Sequence, residues 1–116
     1  MLATSCSPPQ SANQSQPAPA DAIHVTGHGV DQASGICDGF TLTDAQAQQF
    51  FAKATAITPE QMHADYDYLP CWVDGTTTRG GARWTWRIRA GGTAEVTPPG
   101  GQMTFLGCKS CDDLFQ

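Results

Sequence analysis

With 116 residues, a net charge of −5 and a sequence pI of about 4.8, the chain has room for one domain and the wrong sign for nucleic acid or a polybasic membrane patch. Hydrophobic residues make up 40% and charged residues 15%, a globular balance, and no apolar run reaches the roughly 18 residues of a membrane-spanning helix. Five cysteines in so short a chain point to an oxidising compartment.

The chain opens with small residues leading into Cys6 (Leu2-Ala3-Thr4-Ser5-Cys6). This resembles the processing site of a bacterial lipoprotein, with Ala3 where the motif usually has Leu, Val or Ile, and Leu2 one position further back. The resemblance implies cleavage before Cys6 and lipid, palmitate included, on its sulfur and the freed amine. Several acyl chains at about 0.8 kcal/mol per buried CH₂ make a stable anchor. Residues 1–5 are too short for the basic and apolar regions of a secretory signal, so a leader is expected upstream. Residues 7–21 (SPPQSANQSQPAPAD) contain no aromatic and no β-branched residue. Such a segment cannot offset its conformational entropy by burial and reads as a tether. Ser7, rather than Asp, after the cysteine resembles outer-membrane cargo. The expected division is therefore a processing site and tether over 1–21 and one globular domain over 22–116.

Within that domain, residues 23–26 predict a short strand stopped by Gly27 and Gly29, and residues 31–39 read as a loop around Cys37. Thr43 with Gln46 forms a capping box, and Ala47, Phe50, Phe51 and Ala54 make one apolar helical stripe. Thr58, Pro59 and Gln61 open a second, shorter helix, with Met62 and Tyr66 facing inward. From Tyr68 the period changes to two. Leu69, Cys71 and Val73 alternate with Pro70, Trp72 and Asp74, and residues 75–81 read as a polar turn. Trp84, Trp86, Ile88 and Ala90 then alternate with Arg83, Thr85, Arg87 and Arg89, followed by strands at 93–97 and 102–108.

Residues opposite one another in antiparallel strands share a face. The predicted registers set Val73 against Trp84, Cys71 against Trp86, Asp74 against Arg83, Ile88 against Val96, Arg89 against Glu95, Val96 against Met103 and Ala94 against Phe105. The fold expected is α+β: two N-terminal helices on the apolar face of a roughly four-stranded antiparallel meander, stapled by disulfides.

With Cys6 lipidated, Cys37, Cys71, Cys108 and Cys111 predict two disulfides, in any of three connectivities. Cys71 could reach Cys108 or Cys111, with Cys37 taking the other or staying free. The two-residue gap between Cys108 and Cys111 also suits zinc or thiol-redox chemistry, but no second matching pair and no thioredoxin-like βαβ pattern accompany it. No metal site or cofactor is expected. His24, His28 and His63 are dispersed, and no nucleophile lies beside His63, Asp65 and Asp67, so no catalytic residue is expected and the chain is not read as an enzyme. The remaining signal is basic and aromatic. Arg79, Arg83, Arg87 and Arg89 cluster in an acidic chain and, with Trp72, make a candidate partner-binding face.

The segment 40–115, with its capped helix, Leu69-Pro70-Cys71, Trp-rich strand and Leu106-Gly107-Cys108-Lys109-Ser110-Cys111, is similar to a group of small proteobacterial proteins. With its lipoprotein start, the chain also resembles the periplasmic lipoprotein immunity proteins that neutralise secreted toxins. That resemblance implies a lipid-anchored, non-enzymatic inhibitor on the periplasmic face of the envelope, at the outer membrane, with a toxin or cell-wall hydrolase as partner. The alternatives are an envelope structural or assembly lipoprotein contacting peptidoglycan, and a small thiol-redox protein using Cys108 and Cys111.

Overall fold

Six strands form one antiparallel sheet in the order β1-β3-β4-β5-β6-β2 in a computed structural model that describes residues 22–31, 37 and 39–115. The expected lipid site at Cys6 and the tether over 1–21 lie outside the described residues. In chain order the elements are β1 (Ala22–Val30), α1 (Asp44–Lys53), β2 (Thr55–Ile57), α2 (Pro59–Asp65), β3 (Cys71–Arg79), β4 (Ala82–Arg89), β5 (Thr93–Thr97), β6 (Thr104–Gly107) and a 3₁₀ turn at Asp112–Phe115. The meander β3–β6 is as expected, but the sheet has six strands rather than four. The helices do not precede it: β1 comes before both, and β2 lies between them.

Both additional strands are edges. The glycines expected to stop β1 instead carry it past β3. A bulge between Val25 and Gly27 shifts the register by one residue and lets pairing continue, with Gly27 opposite Asp74 and Gly29 opposite Trp72. A Cβ on Gly29 would lie 2.6 Å from the Trp72 ring, so the glycine serves a close approach. The free edge of β1 is blunted by α1, since the Val25 N–H donates to Asp44 Oδ1 at 2.8 Å. At the other edge, β2 pairs with β6 over three residues.

Both capping boxes form as read. The Thr43 and Thr58 hydroxyls accept from the Gln46 and Gln61 N–H groups, and each glutamine oxygen accepts from its threonine's N–H. Helix α1 buries Ala47 and Phe50, and Phe51 meets Trp86 edge-on with ring centroids 5.3 Å apart. Inward-facing Ile23, Val73, Trp86, Ile88, Ala94 and Val96 complete this core with Cys108, Cys111 and Leu114 of the C-terminal segment.

The residues supposed to form a turn at 75–81 are mostly strand. β3 runs to Arg79, and only Gly80 and Gly81, at φ +60° and +80°, turn the chain. Val73 therefore faces Ile88, Asp74 faces Arg87 and Gly75 faces Trp86. Ile88 pairs with Ala94 and Arg87 with Glu95, two residues from the expected register, so the faces are preserved. Across β5–β6 the shift is one residue. Ala94 meets Leu106 and Val96 meets Thr104, which puts Leu106 inside while Met103 is 49% exposed. Nor do the helices share a face. Met62 and Tyr66, expected to face the core, line a cavity with Arg89 and Glu95 on the opposite side of the sheet from α1. The Tyr66 hydroxyl packs where a Cβ of Gly107 would stand.

The disulfides are Cys37–Cys71 and Cys108–Cys111. Cys71 thus reaches neither Cys108 nor Cys111: it begins β3 beside the end of β1, while Cys108 and Cys111 close on each other.

Candidate functional site

The sheet face opposite α1, hereafter the outer face, carries polar residues in rungs set by strand register. One rung is His24, Thr76, Thr85 and Thr97; the next holds Asp74, Arg87, Glu95 and Phe105; the third holds Gly29, Trp72 and Arg89. Period-two alternation places them, because the core claims every intervening position.

Charges in these rungs are paired. Arg87 holds Asp74 in a two-pronged bond, Nε to Oδ1 at 2.7 Å and Nη2 to Oδ2 at 3.0 Å, and its guanidinium lies 3.8 Å over the Trp72 ring. Arg89 reaches diagonally to Glu95, Nε to Oε2 at 2.9 Å, and also to Asp31, Nη1 to Oδ2 at 3.3 Å. Asp31, just past β1 and fixed by its N–H to the Pro70 carbonyl, gathers three donors: Arg89, the Trp72 indole N–H at 3.1 Å and the Tyr68 hydroxyl.

These bonds set the ionisation of the site. The Tyr68 hydrogen bond, with those of Trp72 and Arg89 and the Arg89 charge, holds the Asp31 carboxyl below its ordinary value. The same bond pushes the Tyr68 phenol up. The Asp74 hydrogen bond raises Arg87. Burial works against the charge on Arg89, but its Glu95 bond and the surrounding negative charges still leave it raised.

Two hollows flank this network. A shallow cleft of about 340 Å³ has a floor of Thr76, Thr85 and Thr97, bordered by Asp74, Arg87 and Met103. A more enclosed cavity of about 210 Å³ lies between α2 and the sheet, walled by Met62, Tyr66 and Tyr68 and floored by buried Thr93. Among the described residues, the two large apolar side chains that stand exposed, Tyr68 at 68% and Met103 at 49%, lie one at each hollow.

Of the five expected partner-binding residues, the structure brings together Trp72, Arg87 and Arg89. Arg79 and Arg83 lie at the far hairpin, Arg79 stacked 4.9 Å from the Trp84 ring centroid on the core-facing side and Arg83 exposed opposite Thr78. Arg87 and Arg89 are paired, the first with Asp74 and the second with Asp31 and Glu95. Sequence reasoning missed Asp31, Tyr68 and Met103. Asp31 sat in a supposed loop, and only knowing that β1 lies beside β3 places it near Trp72.

His24 Nδ1 lies 3.6 Å from Asp44 Oδ2 at the start of α1, whereas His63 lies on α2. Among the described residues, no three His, Cys, Asp or Glu side chains converge as a metal site, and no helix is long and apolar enough to cross a membrane. Cys108 and Cys111 are 4% and 0% exposed. Between them Lys109 donates to the Asp65 carbonyl and sits 4.1 Å from the Tyr66 ring centroid, tying the C-terminal segment to α2.

Comparison with protein-family models, curated proteins and solved structures returns no match to this chain.

Proposed function

We propose that the chain is a non-enzymatic binding protein, held by lipid on Cys6 at the periplasmic face of a bacterial outer membrane, and that its outer sheet face captures and inhibits a protein partner such as a secreted toxin or cell-wall hydrolase. The observation that carries this reading is the pairing of a rigid Arg–carboxylate–aromatic network with two exposed apolar anchors, Tyr68 and Met103. Aromatic, Met and Arg residues are the types enriched at interfaces, and side chains already fixed lose little entropy on docking. Two disulfides in a small domain suit the oxidising space outside the cytosol.

The peptidoglycan reading draws support from the threonine floor, whose hydroxyls could meet a saccharide, but an acidic glycan would find the arginines already answered by carboxylates. The thiol-redox reading is disfavoured by the burial of Cys108 and Cys111. The test is affinity capture from envelope extract with the native chain and a Tyr68→Ala/Met103→Ala variant. One protein held stoichiometrically by the native chain and released by the variant is expected. Co-sedimentation with peptidoglycan and no protein retained would overturn the reading.

A further inference from the structure

We propose that the cavity between α2 and the outer face is a socket for one basic side chain, lysine or arginine, of a protein partner; this rests on the binding reading above and names the chemistry of its anchor. At about 210 Å³ the cavity is smaller than the roughly 300–1,000 Å³ of sites for drug-sized ligands, and its scale is that of a single side chain. Met62 and the rings of Tyr66 and Tyr68 offer apolar walls along which the methylene stem of a lysine or arginine can lie, and ring faces attract a cation.

Charge selects the occupant. Asp67, Glu95 and His63 border the cavity and Asp31 stands behind Tyr68, while the one guanidinium among them, Arg89, already bonds Glu95 and Asp31. Lys109 and Asp65 nearby add one charge of each sign. The balance is negative, in a chain whose net charge is −5. An anionic side chain would meet this excess, and a purely apolar one would desolvate carboxylates without replacing their partners. The walls are set in advance: Tyr68 is 68% exposed yet tied through its hydroxyl to Asp31. The same chemistry already holds two of the chain's own cations beside the cavity: Lys109 Nζ lies 4.1 Å from the Tyr66 ring centroid and the Arg89 guanidinium 5.6 Å from that of Tyr68, so the socket offers the remaining ring surface.

The experiment is an NMR titration of the full isotope-labelled chain with three probes: the Nα-acetyl amides of lysine, norleucine and glutamate. The lysine probe is expected to shift the Met62, Tyr68 and Thr93 amides with a millimolar dissociation constant, and norleucine to bind at least about threefold more weakly. Asp67→Asn and Tyr68→Ala should each weaken the lysine probe severalfold, whereas Arg83→Ala should not; the dispersion of each spectrum checks folding. Equal shifts from all three probes, preference for glutamate, no saturable shift, or indifference to Asp67→Asn would overturn the socket. The two readings fail separately. A partner captured by the native chain but held equally well by Asp67→Asn removes the socket alone, whereas lysine binding with no protein captured removes the partner and leaves the socket.

Discussion

Asp31 is the residue on which the outer face turns. It accepts from Tyr68, Trp72 and Arg89, and because its carboxyl is held below the ordinary value, chiefly by the Tyr68 bond, its contribution to stability has a definite pH sense. That contribution is complete above the unfolded carboxylate value and is lost as pH falls through the depressed folded one. The raised Tyr68 phenol has the opposite sense: its contribution is complete below the free phenol value and is lost as pH rises through the raised one. Asp31→Asn should therefore flatten the acid limb of the stability–pH curve and return the spectrophotometric titration of Tyr68 toward that of free tyrosine. On the core side, Gly75 has no room for a side chain, because a Cβ would stand in the Trp86 ring and the His24 carbonyl. Gly75→Ala should cost about 3 kcal/mol in denaturant unfolding, since backbone on one side prevents relief. Buried Thr77 has a hydroxyl without a partner among the described residues, so Thr77→Val should stabilise by about 1 kcal/mol in the same measurement.

Two helices with the same capping chemistry have different standing as elements. Thr43 and Thr58 each complete a box with a glutamine, but α1 buries Ala47 and Phe50 whereas α2 buries no residue fully. Thr43→Ala should lower global stability by about 1 kcal/mol, read in equilibrium unfolding. Thr58→Ala should leave global unfolding nearly unchanged and instead speed amide exchange across α2, because that helix can open without exposing the core. The same asymmetry suits α2 to bordering a binding cavity. The Lys109 contacts to the Asp65 carbonyl and the Tyr66 ring hold its C-terminal end to the rest of the domain.

At the scale of the whole molecule, the sheet is a four-strand meander extended at both edges by strands from earlier in the chain. The Cys37–Cys71 disulfide, with a sequence separation of 34, ties the segment after β1 to the start of β3. Replacing both cysteines by alanine should cost about 2–4 kcal/mol and lower the thermal midpoint. The Cys108–Cys111 bond spans a separation of 3, so it restricts the unfolded chain far less. Its removal should be read chiefly as loss of packing at two buried sulfurs and as loosening of Lys109 from α2.

The sequence by itself determined the local decisions. Thr43-Asp-Ala-Gln46 and Thr58-Pro-Glu-Gln61 specify helix starts from their own hydrogen-bonding groups, and alternation from Arg83 to Arg89 specifies a two-faced strand whatever lies beside it. Cysteine number in a small acidic chain was enough to expect two disulfides. What decides the rest is non-local. Gly29 and Gly75 read as breaks because a glycine shows no intrinsic reason to be in a strand. Their reason is a Trp ring or a neighbouring backbone that arrives only when β1, β3 and β4 assemble. Register depends on which large residues fit over which small ones, so a one-residue slip between β5 and β6 was invisible until Leu106 met Ala94 in the core. The outer face followed the same rule: its arginines and the approach of Arg89 to Glu95 were legible, but Asp31 and Tyr68 come from segments that only the folded sheet places beside Trp72 and Arg89.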